Sequence, residues 1–201
     1  MPLKPKAIIT ALVTFITLLS HGQTSKVPVE YLSVPGPIVL NGDAFNFAWS
    51  THPSPTYYKQ EYIGSKDNLE KFKKMVLVEV LFGESKPADL AQAKIAELKK
   101  MKETNPIVNY EVFQKNGEII VDFLLSENSP DGKKINIIER NVYRYKAIVD
   151  KGQNGVMLFA VSERAYGDAA ADAFLSSLKK TKSVLTNSVA AFALPKISVK
   201  K

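Results

Sequence analysis

Residues 107–126 read IVNYEVFQKNGEIIVDFLLS. Asn116-Gly117, at the centre, is the preferred dipeptide of a two-residue type I′ hairpin turn, whose central residues both need positive φ. That turn fixes the pairing. Lys115 falls opposite Glu118, Val112 opposite Val121, Tyr110 opposite Phe123 and Val108 opposite Leu125. The large apolar side chains then share one face. A slip of one residue would move them to the other face, which burial resists at roughly 1.5–3 kcal/mol per large apolar side chain. The same register sets Glu111 against Asp122 on the opposite face, and directly opposed like charges are unfavourable in a sheet.

Compensation is expected from the next strand, INIIERNVYRYKAIVD (135–150), which carries Arg140, Arg144 and Lys146 at alternating positions. Glu111, Asp122, Arg140 and Arg144 thus read as a surface charge cluster worth little per pair. A cation site on the two acids and an anion site on the arginines are the sharper readings. A calcium site usually collects six or more oxygens, so no metal is assigned.

Outward from the hairpin, a KGQNG turn leads to a further strand, VMLFAVSERA (156–165). Upstream, FNFAWS (45–50) alternates, with Phe45, Phe47 and Trp49 on one face. THPSP connects it to a tyrosine-rich strand, TYYKQEYI (56–63). In GSKDNLEKFKKMVLVEVLFG (64–83), Asp67 is a cap, Leu69, Phe72, Val76 and Val80 fall on one side, and Gly83 suits a C′ position. These features favour one helix from Asp67 to about Phe82, although the β-branched residues of 76–82 also fit a strand. SKPADLAQAKIAELKKMKETNP (85–106) is a second helix, capped by Ser85, with Pro87 in its first turn and Pro106 ending it. A closing helix starts at Asp168, and its continuation either extends it or breaks at Ser183. The expected fold class is α+β: a mainly antiparallel sheet of about six strands with helices packed on it.

This order of elements resembles the PsbP-like fold, an antiparallel sheet between helices. The resemblance lies in the FNFAWS…YYKQEYI hairpin, the helical middle, the IVNYEVF…EIIVDFLL and NVYRYKAIV…VMLFAVSE ladder and the closing DAAADAFLSSL helix. It covers most of the chain as an order of elements and rests on no residue motif. Members of that fold are mainly accessory or binding proteins, so the resemblance implies a non-catalytic role and transfers no functional residue.

The first residues carry an address. MPLKPK is a basic n-region, AIITALVTFITLL (7–19) an uncharged run, and Ser20 and Gly22 the small residues of a cleavage site before Gln23. The run falls short of the roughly 20 apolar residues that span a bilayer. Residues 1–22 are therefore expected to be a signal peptide, 23–37 an extended N-terminal arm and 38–201 one α+β domain. With 0 cysteines, no lipid anchor of the lipobox type and no disulfide can form. The formal charge of +7 falls to +5 without Lys4 and Lys6. No basic run is interleaved with aromatics, so nucleic acid is not an expected partner. The expected location is periplasmic or secreted.

The inventory also limits chemistry. Outside the leader the one histidine is His52. Thiolate–imidazole zinc sites and Cys-His dyads are excluded, and no G-x-S-x-G, G-x-G-x-x-G or P-loop pattern occurs. No catalytic residue and no cofactor is assigned. Trp49, His52, Tyr57, Tyr58 and Tyr62 form the densest aromatic group and are the candidate ligand-binding residues. The plainer reading is a cross-strand aromatic cluster, with His52 an ordinary loop residue between prolines. SERAYGD (162–168) suggests an anion site at a helix N-terminus, but Asp168 as N-cap explains it without a ligand. The favoured function is a non-catalytic exported module that binds a small ligand or an envelope protein. The alternatives are a hydrolase of cell-envelope material using Glu61, Glu111 or Asp122, and a purely structural envelope component.

Overall fold

The computed structural model describes residues 27–200. The expected signal peptide lies outside them. Eight strands and two helices follow one another: β1 (Ile38–Leu40), β2 (Asp43–Ser54), β3 (Tyr57–Ile63), β4 (Lys74–Phe82), α1 (Pro87–Lys102), β5 (Asn109–Lys115), β6 (Glu118–Asn128), β7 (Ile135–Asp150), β8 (Gln153–Tyr166) and α2 (Asp168–Ala191). All strands join one antiparallel sheet in the order β1-β2-β3-β4-β8-β7-β6-β5. The sheet is a curled half-barrel with two helices. Two meanders, β1–β4 and β5–β8, meet where β4 pairs with β8.

The hairpin register agrees with expectation at each position that pairs within β5 and β6. Lys115 faces Glu118, Val112 faces Val121, Glu111 faces Asp122 and Tyr110 faces Phe123. Asn116 and Gly117 both take positive φ, 52° and 78°, as a type I′ turn requires.

Two expectations need correction. The sheet has eight strands rather than about six, the additions being β1 and β4. The helix expected over residues 67–82 does not form; residues 74–82 are β4, a central strand between β3 and β8. The spacing of four between Val76 and Val80 misled, because it satisfies a period of 3.6 and a period of 2 alike. Val76, Val78 and Val80 are fully buried on one face, and Met75 and Leu77 are buried on the other. A strand covered on both sides loses polar alternation and reads as a near-continuous apolar run. Gly155 lets β8 approach β4: a Cβ there would stand 2.8 Å from the Leu81 carbonyl oxygen.

Smaller differences follow from local chemistry. His52 and Pro53 belong to β2 rather than to a connecting loop, and the turn is shortened to Pro55-Thr56. Lys86, not Ser85, is the N-cap of α1, and Asp89 accepts a hydrogen bond from its backbone N–H at 2.7 Å. α2 runs unbroken for 24 residues. Gly167 is its N-cap, while the Asp168 carboxylate accepts the backbone N–H of Ile135 at 2.6 Å and ties the helix start to β7.

The sheet separates two cores. On one face, α2, the N-terminal arm and the C-terminal residues cover Val76, Val78, Phe159, Val142 and their neighbours. On the other, α1 packs over β5, β6 and β7 and covers Val121, Phe123, Leu158 and Ala160. We call these the α2 face and the α1 face. The arm is held by Gln60, which is fully buried on the α2 face. Its Oε1 accepts the N–H groups of Tyr31 and Leu32 at 2.8 and 2.9 Å, and its Nε2 donates to the Val34 carbonyl at 3.2 Å.

Candidate binding face

The aromatic group of the sequence is divided by the sheet. Tyr58 and Tyr62 lie on the α2 face with Gln60, and both are buried. The Tyr62 hydroxyl donates to the Val34 carbonyl at 2.6 Å and accepts from Gln60 Nε2 at 2.7 Å. Tyr58 stacks on His52, with centroids 4.0 Å apart and planes at 9°. His52 Nδ1 lies 3.1 Å from the Tyr57 carbonyl oxygen. Tyr31 closes this cluster at 5.4 Å from His52. These three residues thus serve to seat the N-terminal arm and the β2–β3 hairpin.

Trp49 does not share a face with Phe47, contrary to the alternation expected of FNFAWS. The pairing shifts between them, so that Phe47 opposes Tyr62 and Trp49 opposes Glu61. An extra residue in one strand turns the following side chains to the other face. Trp49 therefore joins Tyr57, Lys59 and Glu61 on the α1 face. α1 makes its main sheet contacts there with β5, β6 and β7, and Leu77 of β4 is buried in the same core. The β2–β3 part of this face, where Trp49, Tyr57, Lys59 and Glu61 are partly exposed, holds the candidate site.

Its centre is an ionic and phenolic cluster. Lys59 Nζ stands 2.8 Å from Glu61 Oε1 and 3.9 Å from Glu79 Oε1, and 5.8 Å from the centre of the Trp49 ring. The Tyr57 hydroxyl faces the Glu79 carboxylate. Towards α1, Lys94 pairs with Glu97 at 2.7 Å and lies 5.7 Å from the ring of Tyr143. Towards β8, Arg164 pairs with Glu139. Within the cluster Asn141 is fully buried and bonds to Ser162 through Oδ1, while its Nδ2 has no partner.

The charges bend one another. Burial lifts the Glu79 carboxyl above the usual carboxylate range, against the pull of Lys59 and the Tyr57 hydroxyl. Burial lowers the Lys59 ammonium, but Glu61 and Glu79 outweigh it and leave the group raised. Burial and the Glu79 charge push the Tyr57 and Tyr145 phenols far up, so both remain protonated donors. The site therefore holds a protonated Tyr57 facing Glu79, one lysine and a carboxylate that ionises reluctantly, beside the indole of Trp49, while Tyr145 lies buried under α1.

Glu79, Lys59 and Tyr143 were not singled out by sequence. A signal did exist: Glu79 is the lone acid in the run MVLVEVLF. Read as a strand, that run forces its one carboxylate onto a sheet face between Leu77 and Leu81.

Glu111, Asp122, Arg140 and Arg144 lie on the α2 face, and part of this cluster is no surface ladder. Asp122 and Arg140 are 5% and 2% exposed. Arg140 makes a two-pronged bond to Asp122, Nε to Oδ1 at 3.1 Å and Nη2 to Oδ2 at 2.8 Å. Arg140 Nη2 also donates to the Lys182 carbonyl at 2.6 Å, and the Thr186 hydroxyl donates to Asp122 Oδ2 at 2.7 Å. Arg144 pairs with Glu118 at 2.6 Å rather than with Glu111 or Asp122, and its Nη1 donates to the carbonyls of Val189 and Phe192. Glu111 takes its partner from α2, with Lys182 Nζ at 2.5 Å. The arginines thus fasten α2, two of whose last carbonyls need partners outside the helix.

Among the described residues no group of three or more His, Cys, Asp or Glu is placed to hold a metal. No described helix is long and apolar enough to cross a membrane. Two open depressions occur elsewhere on the surface. One of about 420 Å³ lies between Leu40 and Phe192, and one of about 470 Å³ between Lys102 and Tyr110.

A protein-family model matches residues 32–194. The chain belongs to that family. The match begins in the arm held by Gln60 and runs past the end of α2, so it takes in both faces of the sheet. No curated protein and no solved structure matches the chain.

Proposed function

We propose that the protein is an exported, non-catalytic binding module of the cell envelope whose ligand or protein partner rests on the β2–β3 part of the α1 face. The leader-like residues 1–22 support export. The observation that carries the binding role is the cluster of Trp49, Tyr57, Lys59, Glu61 and Glu79 on the sheet face outside the main contacts of α1. Aromatic surface beside a few polar groups is the composition that ligand sites favour. The resemblance of the sequence to the PsbP-like order of elements, whose members are mainly accessory or binding proteins, favours the same reading, although one helix of its helical middle is strand β4. The hydrolase alternative is weaker, because Glu61 lies on the α1 face while Glu111 and Asp122 lie on the α2 face, each beside a cation. Two acids must converge on one bond to hydrolyse it.

The chain has 1 tryptophan, so Trp49 fluorescence reports on this face alone. Titration with cell-envelope saccharide fragments and with short peptides is expected to give a saturable change with one of them. That change should disappear in Lys59→Met, with circular dichroism and a cooperative melting transition showing that the variant is folded. Turnover of a saccharide fragment, lost in Glu61→Gln, would instead establish the hydrolase.

A further inference from the structure

The two edges of the sheet differ in a way that the binding face does not explain. β1 is 3 residues long, a short edge of the kind that resists further pairing. β5 is 7 residues long, contains no proline and pairs with β6 alone. Val112 and Phe113, at its middle, are each 45% exposed. A regular edge strand with exposed apolar side chains is a template for another strand.

The hairpin fixes which backbone groups are free. The residues flanking a two-residue turn form a hydrogen-bonded pair, and such pairs alternate along an antiparallel ladder. Lys115, Phe113 and Glu111 therefore turn their N–H and C=O groups towards β6. Tyr110, Val112 and Gln114 turn theirs to the open edge. A strand joining antiparallel must match these outward residues with its own.

β5 itself can do so. Let Val112 of one copy pair with Gln114 of a second, and Gln114 with Val112. Phe113 of each copy then meets the other at the two-fold axis, in the close, non-hydrogen-bonded arrangement that favours aromatic contact. Glu111 of each copy falls opposite Lys115 of the other, on the face that also carries Phe113. Lys115 forms no ion pair among the described residues, so its charge is available. The neighbouring register, Val112 against Val112, would set Glu111 against Phe113 and forfeit both charge contacts. One strand thus holds, in the correct order, the two charges and the aromatic residue that a self-complementary edge needs. We propose that the β5 edge is the interface with a second copy of this chain, joining two sheets into one of sixteen strands through Glu111–Lys115 and Phe113–Phe113 pairs.

Sedimentation equilibrium of the exported form over a wide concentration range tests this. A two-chain mass is expected at high concentration. Glu111→Lys and Lys115→Glu, each alone, set like charges opposite one another and are expected to weaken association at least tenfold. An equimolar mixture of the two variants is expected to restore it, because each lysine then faces an acid at both ends of the interface. That recovery would also demonstrate that both variants are folded. Val112→Pro removes an outward N–H while leaving the ladder to β6, and should abolish the two-chain species. A one-chain mass at all concentrations, or association unchanged in both charge variants, would overturn the proposal.

Discussion

The two faces of the sheet carry similar inventories of charge and use them differently. On the α2 face, Arg140 and Asp122 are buried, doubly bonded to each other and completed by Thr186 and the Lys182 carbonyl. On the α1 face, Lys59, Glu61 and Glu79 share one cation between two acids, and the Lys59 and Glu79 side chains keep 27% and 22% of their surface. The first network is closed and joins two elements of the fold. The second lies on the β2–β3 part of the α1 face, outside the main contacts of α1 and next to the one tryptophan. Burial and completeness, rather than the number of charges, separate a structural network from a site that can accept a partner.

The sharpest way to break this comparison is to remove the buried cation. Arg140→Met leaves the Asp122 carboxylate enclosed without its counter-charge, and such losses cost about 3–5 kcal/mol. Urea unfolding should show that loss, and limited proteolysis should cut within α2 first. Arg144→Met removes the donors to Val189 and Phe192 at the end of the same helix. Hydrogen bonds from a charged group contribute about 1.5–3 kcal/mol, so the same measurement should give a smaller loss.

Acidity sharpens the comparison, because the two faces respond in opposite senses. Partial burial pulls the Glu118 carboxyl up, but bonds from Arg144 and Lys146 outweigh it and hold the group below its ordinary 4.5. Its contribution is present above that value and lost as pH falls through the folded pKa. Glu79, raised by burial from 4.5, contributes fully below that value and loses its contribution as pH rises through the folded pKa. Melting curves from pH 3 to 8 should show wild type losing its advantage over Glu118→Gln on acidification. Relative to Glu79→Gln, wild type should lose stability as pH rises.

The smallest effect belongs to His52. The ring is exposed and stacked on Tyr58, and such contacts contribute about 0.5–1.5 kcal/mol. His52→Ala should stay within that range and leave the Trp49 titration unchanged.

The sequence reveals the α2 face more readily than the α1 face. Asn116-Gly117 with Val112, Val121 and Phe123 determined the register, and that register placed Asp122 beside a basic strand. What it hid was burial: nothing in the spacing of Arg140 and Arg144 says that α2 lies across them. The α1 face depends on two features that local patterns conceal. The shift before Trp49 changes its face without changing the residue pattern. β4 is buried on both sides, so its valines fit helix and strand periods alike, and only the strand period assigns Glu79 to a face.

One chemical change applied to both faces tests the central distinction most directly. Asp122→Asn and Glu79→Gln each replace a carboxylate by its amide. In urea unfolding at pH 7, Asp122→Asn is expected to lose about 3 kcal/mol or more, because Arg140 is left as a buried unpaired charge. Glu79→Gln is expected to be neutral or stabilising, because burial already disfavours its ionised form. Equal losses in the two variants would contradict the division into a structural face and a binding face.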